Sequence, residues 1–215
     1  MGKLTTIATI VLLLIFTFLF AKEPVNITME KLNQIEAKYG SKAKERVLVW
    51  DDMMESAKNE NTLMKLKLVN DFFNRLVYKR DINNWSQKDY WAAPFEFLGA
   101  GAGDCEDYAI AKYFALRQLG IADEQLKITY VTLSTTNKQF EEAHMVLNYY
   151  HKPNTPPIVL DNVNKKLVLA TQREDLVPVY SFNASGLWKA QNKGKEEEKM
   201  GNNNLKNWQL LMERI

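Results

Sequence analysis

Apolar and polar positions alternate with the period of an α-helix through the first third of the chain that follows the N-terminal apolar run. Residues 29–39 carry this pattern and end at Gly40, which predicts a short helix with a glycine stop. Residues 41–57 begin with Ser41, a candidate N-cap, and place their apolar side chains at helical spacing. Residues 61–79 repeat the pattern. Three N-terminal helices are therefore predicted.

The pattern breaks between residues 81 and 98, which are rich in aromatic side chains and contain Pro94. This stretch predicts a packed loop that leads into a run of glycines at positions 99, 101 and 103. Residues 108–119 then contain only three strongly polar side chains, which project in different directions. A helix with so little polar surface is predicted to be enclosed on most sides.

From residue 125 onward the pattern becomes that of β-strands. Short apolar or alternating runs are separated by turn residues, and they occupy residues 126–134, 143–150, 156–161, 166–170 and 177–188. The charged, Asn-rich tail predicts a surface loop before a last short helix. Helices first and antiparallel strands later predict an α+β fold.

The N-terminus predicts export. Lys3 is followed by an uncharged, mostly apolar run from Leu4 to Ala21, which predicts a signal peptide over residues 1–21 with cleavage after Ala21. The run is also nearly long enough to cross a bilayer, so a retained membrane anchor is the alternative. In both cases residues 22–215 are expected to form one domain outside the cytoplasm.

Composition excludes several classes of protein. The 215 residues are 46% hydrophobic and 25% charged, which is typical of a globular domain. Lys3 is the one charged residue of the first 21, so the remainder carries 27 basic and 26 acidic side chains, a net charge of +1. Because basic clusters do not interleave with aromatic residues either, we expect no nucleic-acid partner. A single cysteine cannot form an internal disulfide, so the hydrophobic core must hold the domain together.

That single cysteine, Cys105, is the first candidate for chemistry. The glycines before it allow close backbone approach, and the positive end of the following helix dipole favours a thiolate. Asp104, Glu106 and Asp107 act in the opposite direction, because negative charges raise the pKa of a thiol. A buried structural thiol and a nucleophile are both compatible with this pattern.

A cysteine nucleophile needs a base and a group that orients the base. Of the two histidines, His144 opens a predicted strand, whereas His151 lies beside "KPNTPP" and is predicted to be a solvated loop residue. Asp161 ends the next predicted strand, and two neighbouring antiparallel strands could place His144 and Asp161 side by side. Spacing alone only suggests a Cys105–His144–Asp161 triad.

The motif "GDCEDYAIAKYFALRQLGI", with "YWAAPFEFL" before it and "EAHMVL" and "LDN" after it, resembles the LapG-type bacterial transglutaminase-like cysteine proteinases. The resemblance spans roughly residues 45–180. It implies a papain/transglutaminase-like fold in which a central helix carries the cysteine and an antiparallel sheet carries the histidine and aspartate. Cys105 would be the nucleophile, His144 the general base and Asp161 its orienting carboxylate. The backbone N–H of Cys105 would contribute to the oxyanion hole, with Trp91 as the candidate for the second donor.

The resemblance also gives the acidic residues a role. In this family the carboxylates that flank the cysteine bind calcium; Asp104 and Glu106 match those positions, and Asp107 is a further candidate ligand. Carboxylate oxygens suit Ca²⁺, and a bound divalent charge removes the penalty that bare carboxylates impose on a thiolate. From the residues alone, the alternative is that Asp104 caps the helix and Glu106 is solvated.

The function implied by the resemblance is that of a calcium-dependent periplasmic cysteine endopeptidase. Such enzymes cleave a large biofilm adhesin near its N-terminus, in a segment with paired alanines, and so release it from the cell surface. A membrane receptor that senses cyclic-di-GMP sequesters them. Two alternatives remain: acyl transfer to an amine, as in transglutaminases, and a non-catalytic calcium-binding adaptor.

Overall fold

The computed structural model describes residues 27–134, 141–189 and 198–215. The predicted signal peptide or anchor, residues 1–21, lies outside the described residues. Within the described ranges, none of the helices combines the length and the apolar character needed to cross a membrane.

Three helices open the described chain, as predicted: α1 (Met29–Tyr39), α2 (Ser41–Ala57) and α3 (Thr62–Phe73). Side-chain oxygens cap two of them, because Thr28 accepts a hydrogen bond from the backbone of α1 and Asn61 one from that of α3. Gly40 separates α1 from α2 with a φ of 86°, a value that glycine adopts without strain.

Helix α3 is shorter than predicted. It ends at Phe73, and the following residues form a two-residue strand, β1 (Val77–Tyr78), which pairs in parallel with β2 (Ala102–Gly103). The backbone N–H of Lys79 continues this pairing to the carbonyl oxygen of Gly103 at 2.8 Å. The pairing places the segment after α3 directly beside the residues that precede Cys105.

The prediction of a loop over residues 81–98 is wrong in part, because two short helices lie there or begin there: α4 (Asp81–Asn84) and α5 (Pro94–Ala100). Pro94 occupies the first position of α5, where its missing N–H costs nothing and its fixed φ suits the helix. The Glu96 carboxylate accepts a hydrogen bond from the N–H of Ala93 and closes the first turn. Proline here starts a helix rather than interrupting a loop.

The enclosed helix predicted after the glycine run is α6 (Cys105–Gln118). It packs against α3 and α5 on one side and against strands β3 and β4 on the other. Most of its apolar side chains are buried, with Ile110 and Leu116 fully so, and Lys112 is fully buried as well. The two ends of α6 are more open than its middle.

The sheet has seven described strands: β3 (Leu126–Ser134), β4 (Glu141–Tyr149), β5 (Ile158–Leu160), β6 (Val168–Leu169), β7 (Leu176–Asn183), β8 (Gly186–Lys189) and β9 (Glu198–Gly201). Their order is β6-β5-β4-β3-β7-β8-β9, and every neighbouring pair is antiparallel. Strand β9 was not predicted, whereas the last short helix, α7 (Lys206–Met212), was. The predicted α+β class is confirmed.

The core lies between α6 and the sheet. Ile128, Leu147 and Phe182 are fully buried there, and Trp208 of α7 closes one end by packing on Phe182. A smaller cluster of four buried side chains forms a separate apolar patch on the sheet: Val131, Val146, Val159 and Leu176. The middle of α6 is therefore enclosed, and Cys105 and Glu106 at its N-terminal end stay partly exposed.

Candidate active site

The N-terminal turn of α6 opens onto a cleft of about 720 Å³. The walls come from four parts of the chain: the segment around α4, the start of α6, the sheet, and the residues around the start of α7. The residues that line this cleft include Asp81, Trp91, Asp104, Cys105, Glu106 and His144. Cys105 and His144, which are 39 positions apart in the sequence, therefore share one cavity.

Cys105 is the first residue of α6, and its side chain is half-buried. Its Sγ donates a hydrogen bond to Glu106 Oε2 at 2.9 Å. The backbone N–H of Met145, the residue next to His144, donates toward the sulfur from β4. Burial, followed by the charge of Glu106, raises the pKa of the Cys105 thiol well above its usual value. Burial, and after it the neighbouring carboxylates, thus favour the protonated thiol.

His144 and Asp161 meet as the sequence predicted. Strands β4 and β5 are hydrogen-bonded neighbours, with Leu147 opposite Leu160, and Asp161 follows β5 directly. His144 Nε2 lies 2.8 Å from Asp161 Oδ1, and both side chains are buried. This contact leaves Nδ1 as the ring nitrogen available to exchange a proton. The structure brings the two residues together; their catalytic roles remain a prediction.

Asp161 has a second charged partner that the sequence analysis missed. Arg173 Nη1 lies 2.7 Å from Asp161 Oδ2. Burial alone would raise the pKa of Asp161, but the hydrogen bond from His144 and the charge of Arg173 hold it well below its usual range. Arg173 stands in a short polar stretch between two strands, and nothing in its spacing distinguished it from a surface arginine.

Asp104 occupies the N-cap position of α6, but its side chain does not cap the helix. Its Oδ2 instead accepts a hydrogen bond from the N–H of Asp81 at 3.3 Å. Asp107 is fully buried and turns toward backbone groups, accepting from the N–H of Ala92 at 2.8 Å and more weakly from that of Asp104. The geometry therefore gives no support to Asp104 as a simple helix cap.

Two further carboxylates, Asp81 and Asp89, join this group and were missed from the sequence. Oxygen atoms of Asp81, Asp104 and Asp107 lie within 4.8 Å of one another, and so do oxygen atoms of Asp81, Asp89 and Glu106. We call these five residues the acidic cluster. The sequence feature that could have indicated them is the presence of two aspartates in a segment predicted to be packed, because a carboxylate that becomes buried needs a partner.

The acidic cluster has the properties of a cation site. Oδ1 of Asp81 and Oδ1 of Asp104 are buried, and no described residue offers either atom a hydrogen bond. Burial, together with the neighbouring carboxylates, raises the pKa of Asp104 to about 10 and that of Asp81 to about 6. Converging oxygen ligands with unsatisfied lone pairs fit a hard divalent cation such as Ca²⁺.

The remaining predicted residues also lie where they can be described. Trp91 is buried at the cleft, and its ring stacks on that of Phe182 with 5.3 Å between centroids. Arg214 donates to the Trp91 carbonyl oxygen at 2.6 Å and so ties the C-terminal segment to this wall. The role of Trp91 as a donor in the oxyanion hole stays a prediction. His151 is exposed in the loop after β4, as expected.

A thiol at the start of an enclosed helix shares a cleft with a histidine–aspartate pair on an antiparallel sheet, which is the arrangement expected of a papain- or transglutaminase-like thiol enzyme. Comparison with family models agrees: the model for bacterial transglutaminase-like cysteine proteinases matches residues 37–194. The chain belongs to this family, which is a family of cysteine peptidases.

Solved structures place the chain beside LapG of Legionella pneumophila. The calcium-bound form is 39% identical, with a TM-score of 0.72 over 87% of this chain and 99% of that chain. The EGTA-treated form is 39% identical, with a TM-score of 0.73 over 87% of this chain and 97% of that chain. No curated protein matches. The predicted family and the predicted transglutaminase-like fold are confirmed.

Proposed function

We propose that the chain is a calcium-dependent cysteine endopeptidase with Cys105, His144 and Asp161 as its catalytic triad. One observation carries this proposal. In a member of a cysteine proteinase family, Cys105 and His144 line one cleft while Asp161 holds the imidazole at 2.8 Å. Nucleophile, base and orienting group are thus arranged in the order that acyl transfer requires.

The first half of the reaction forms an acyl-enzyme. His144 takes the proton from Cys105 Sγ, and the thiolate attacks the carbonyl carbon of the scissile bond. The electron pair of that carbonyl moves to its oxygen, which the backbone N–H of Cys105 stabilises at the start of α6. When the oxyanion collapses, the C–N bond breaks and the imidazolium gives its proton to the leaving amine.

The second half hydrolyses the thioester. His144 accepts a proton from a water molecule, whose oxygen attacks the acyl carbon, and the C–S bond breaks to release a carboxylic acid. The proton returns to the thiolate, so the enzyme is regenerated. Asp161 keeps the ring in one orientation throughout, because its Oδ1 contacts Nε2 and leaves Nδ1 toward the reacting groups.

Calcium would be held by the acidic cluster, where oxygens of Asp81, Asp104 and Asp107 converge, and likewise those of Asp81, Asp89 and Glu106. When bound, it supplies positive charge that offsets the carboxylates beside Cys105 and fixes the loop before α6. The unsatisfied oxygens of Asp81 and Asp104 support this assignment. So does the calcium-bound state in which LapG of Legionella pneumophila was solved.

The substrate, the regulation and the location follow from the family resemblance. The substrate would be the N-terminal region of a large cell-surface adhesin, and a cyclic-di-GMP-sensing membrane receptor would control access to it. The enzyme would work in the periplasm, with residues 1–21 either removed or retained as an anchor. N-terminal mass analysis of fractionated cells tests the location. A protein that begins at Met1 and is found in the cytosol without membrane association would contradict the proposal.

The activity is tested with the full chain and a recombinant N-terminal adhesin region from the same organism. Cys105→Ala and His144→Ala should each lower kcat/KM by at least about 10⁴-fold, because neither the nucleophile nor the base can be replaced by water. His151→Ala is the matched control, since it removes the other histidine from an exposed loop. Cleavage by the Cys105→Ala protein would refute the proposal.

The same assay separates the two alternatives. Intact-mass measurement of a stalled reaction should show the acyl group on the only cysteine of the chain, followed by two shorter fragments. Isopeptide-linked products formed with an added amine, at the expense of hydrolysis, would show a transferase. A chain that binds adhesin and calcium yet never acylates Cys105 would be an adaptor.

A further inference from the structure

Arg173 is a buried cation that the proposed reaction does not use directly. It follows the short 3-10 turn Ala170–Gln172, and its side chain is only 3% exposed. A buried arginine cannot lose its proton, so its charge must be met by anions inside the protein. The identity of those anions indicates its function.

The guanidinium lies between two carboxylates. On one side, Nε and Nη2 contact the carboxylate of Asp175 at 2.9 and 2.8 Å, which is the fork geometry of a strong arginine–carboxylate pair. On the other side, Nη1 lies 2.7 Å from Oδ2 of Asp161. Asp175 therefore holds Arg173 in place while the remaining nitrogen faces Asp161.

The two oxygens of Asp161 consequently have different neighbours, the His144 imidazole at Oδ1 and the Arg173 guanidinium at Oδ2. With a ligand on each oxygen, the plane of the carboxylate cannot rotate without breaking one contact. The backbone N–H groups of Val163 and Asn164 add weaker constraints from the following turn. The direction in which Asp161 offers its acceptor to the imidazole is fixed by this set.

We propose that Arg173 is a positioning residue that acts through Asp161: it fixes the carboxylate that orients His144, and it balances the negative charge that His144 faces. The expected effect of Arg173 on the reaction rate rests on the proposed role of His144 as the base. The expected effect of Arg173 on the His144 imidazole follows from the contacts alone. In the variant that lacks the guanidinium, His144 faces an uncompensated carboxylate, and its protonated form is favoured.

The other charged groups around Asp161 do not replace Arg173. Lys112 is buried nearby, but its Nζ donates to Asn74 Oδ1 at 2.8 Å rather than to the carboxylate. Lys165 donates to the carbonyl oxygen of Asn74 at 2.9 Å. Asp175 adds a second negative charge behind Arg173, and its side chain is 38% exposed. The guanidinium is the cation that contacts the Asp161 carboxylate among the described residues.

Imidazole NMR titration of the full chain in saturating calcium tests the proposal directly. The chain has only two histidines, so exposed His151 serves as the internal reference for His144. Arg173→Gln should raise the titration midpoint of His144 by about one pH unit or more, since a cation next to its partner is lost. Arg173→Lys should restore most of the difference, and Asp175→Asn should lower the midpoint slightly. His151 should not move in any variant.

The kinetic readout is a fall in kcat of about 10- to 100-fold for Arg173→Gln, with KM little changed and with rescue by Arg173→Lys. A His144 midpoint in Arg173→Gln that equals the wild-type value would overturn the proposal. If Arg173→Gln does not fold, Asp175→Asn decides, because an unchanged midpoint there contradicts charge balance. A protein that cleaves nothing but shows these shifts would refute the proposed function and leave the positioning role intact.

Discussion

Asp161, which contacts His144, and the acidic cluster, which surrounds Cys105 in the sequence, differ in how their negative charge is balanced. Asp161 is enclosed by its own partners, His144 and Arg173, and these hold its pKa well below the usual range. In the acidic cluster, by contrast, burial and like charges raise the pKa of Asp104 to about 10. Two buried oxygens of that cluster meet no donor among the described residues.

The difference shows which part of the site is complete within the chain. The histidine–aspartate side carries its own countercharge, so it is organised as soon as the protein folds. The acidic cluster lacks one, because its members repel each other and raise the pKa of the adjacent Cys105 thiol. A divalent cation is the simplest group that would supply the missing positive charge, and in the proposed mechanism it would act directly on the environment of the Cys105 thiol.

An aspartate-to-asparagine substitution at each of the two sites should show the largest difference between them. Asp161→Asn leaves Arg173 with a buried charge that has lost one anion, so the free energy of unfolding should fall by about 3–5 kcal/mol. Asp104→Asn in calcium-free buffer should not lower it, because burial and like charges raise the pKa of Asp104 to about 10 and an uncharged amide replaces an uncharged carboxyl. Urea unfolding at pH 7 with a chelator measures both values, and equal losses at the two positions would contradict the comparison.

The pH dependence of the Asp161→Asn effect follows from the sign of the shift. The pKa of Asp161 is depressed in the folded state, so its contribution is fully present above about 4, its range in the unfolded chain. It is lost as the pH falls below that value toward the native pKa. The difference between wild type and Asp161→Asn should therefore narrow in acid, and a constant difference down to pH 2 would count against the ion pair.

Calcium should distinguish the two sites as well, because only the acidic cluster is expected to bind it. Binding to the folded cluster and not to the unfolded chain would give the wild-type protein about 2.7 kcal/mol at 100 times the dissociation constant. Asp104→Asn should lose this gain, and Asp161→Asn, measured where it is folded, should keep it. Excess Mg²⁺ should substitute poorly, because it retains its waters and demands octahedral geometry.

Thermal melts over a series of free calcium concentrations measure this linkage. The melting temperature of the wild type should rise with the logarithm of calcium, whereas that of Asp104→Asn should stay level. Asp71→Asn, which removes a carboxylate on α3 that pairs with a surface lysine, is the matched control for lost negative charge. An Asp104→Asn protein that still melts higher with calcium would assign the ion to other ligands.

Most of the fold could be predicted from the sequence because its signals are local. Helical spacing predicted α1 and α2, and the apolar runs predicted β3, all with the bounds observed. Strand β4 begins two residues earlier and ends one residue earlier than predicted. The errors arose where distant contacts decide: Val77 leaves the helical pattern of α3 to pair with Ala102, which lies 25 residues away. Pro94 was misassigned because proline both breaks helices and begins them.

The site divides in the same way. Cys105, His144 and Asp161 could be proposed from the sequence because residue type, position at the ends of predicted elements and a long motif all pointed to them. Arg173, Asp81 and Asp89 were missed because an arginine or aspartate in a polar turn is usually solvated. Arg173 and Asp81 are buried instead, and Asp89 is exposed but lies close to Asp81 and Glu106, which only the packing of the chain shows.

The smallest expected effect concerns Lys112, a buried lysine near Asp161. It is fully buried in the middle of α6 and bonded to Asn74, whose amide donates in turn to the backbone oxygen of Asp161. Burial lowers the pKa of Lys112 to about 7, although the charge of Asp161 opposes the shift. A lysine with a lowered folded-state pKa releases its proton on folding at higher pH, so stability should rise with pH between about 7 and its unfolded value near 10.4.

Lys112→Met should flatten that rise by about 1 kcal/mol per pH unit between pH 7 and 9, because the variant has no proton to release. Groups common to both proteins cancel when the two slopes are subtracted, so the difference belongs to Lys112. Lys58→Met, at an exposed position on the surface, controls for the loss of one positive charge. Parallel stability curves for wild type and Lys112→Met would show a lysine that stays charged inside the protein. A flattened curve would show that Lys112 is neutral in mildly alkaline buffer, so that Arg173 supplies the permanent positive charge at Asp161.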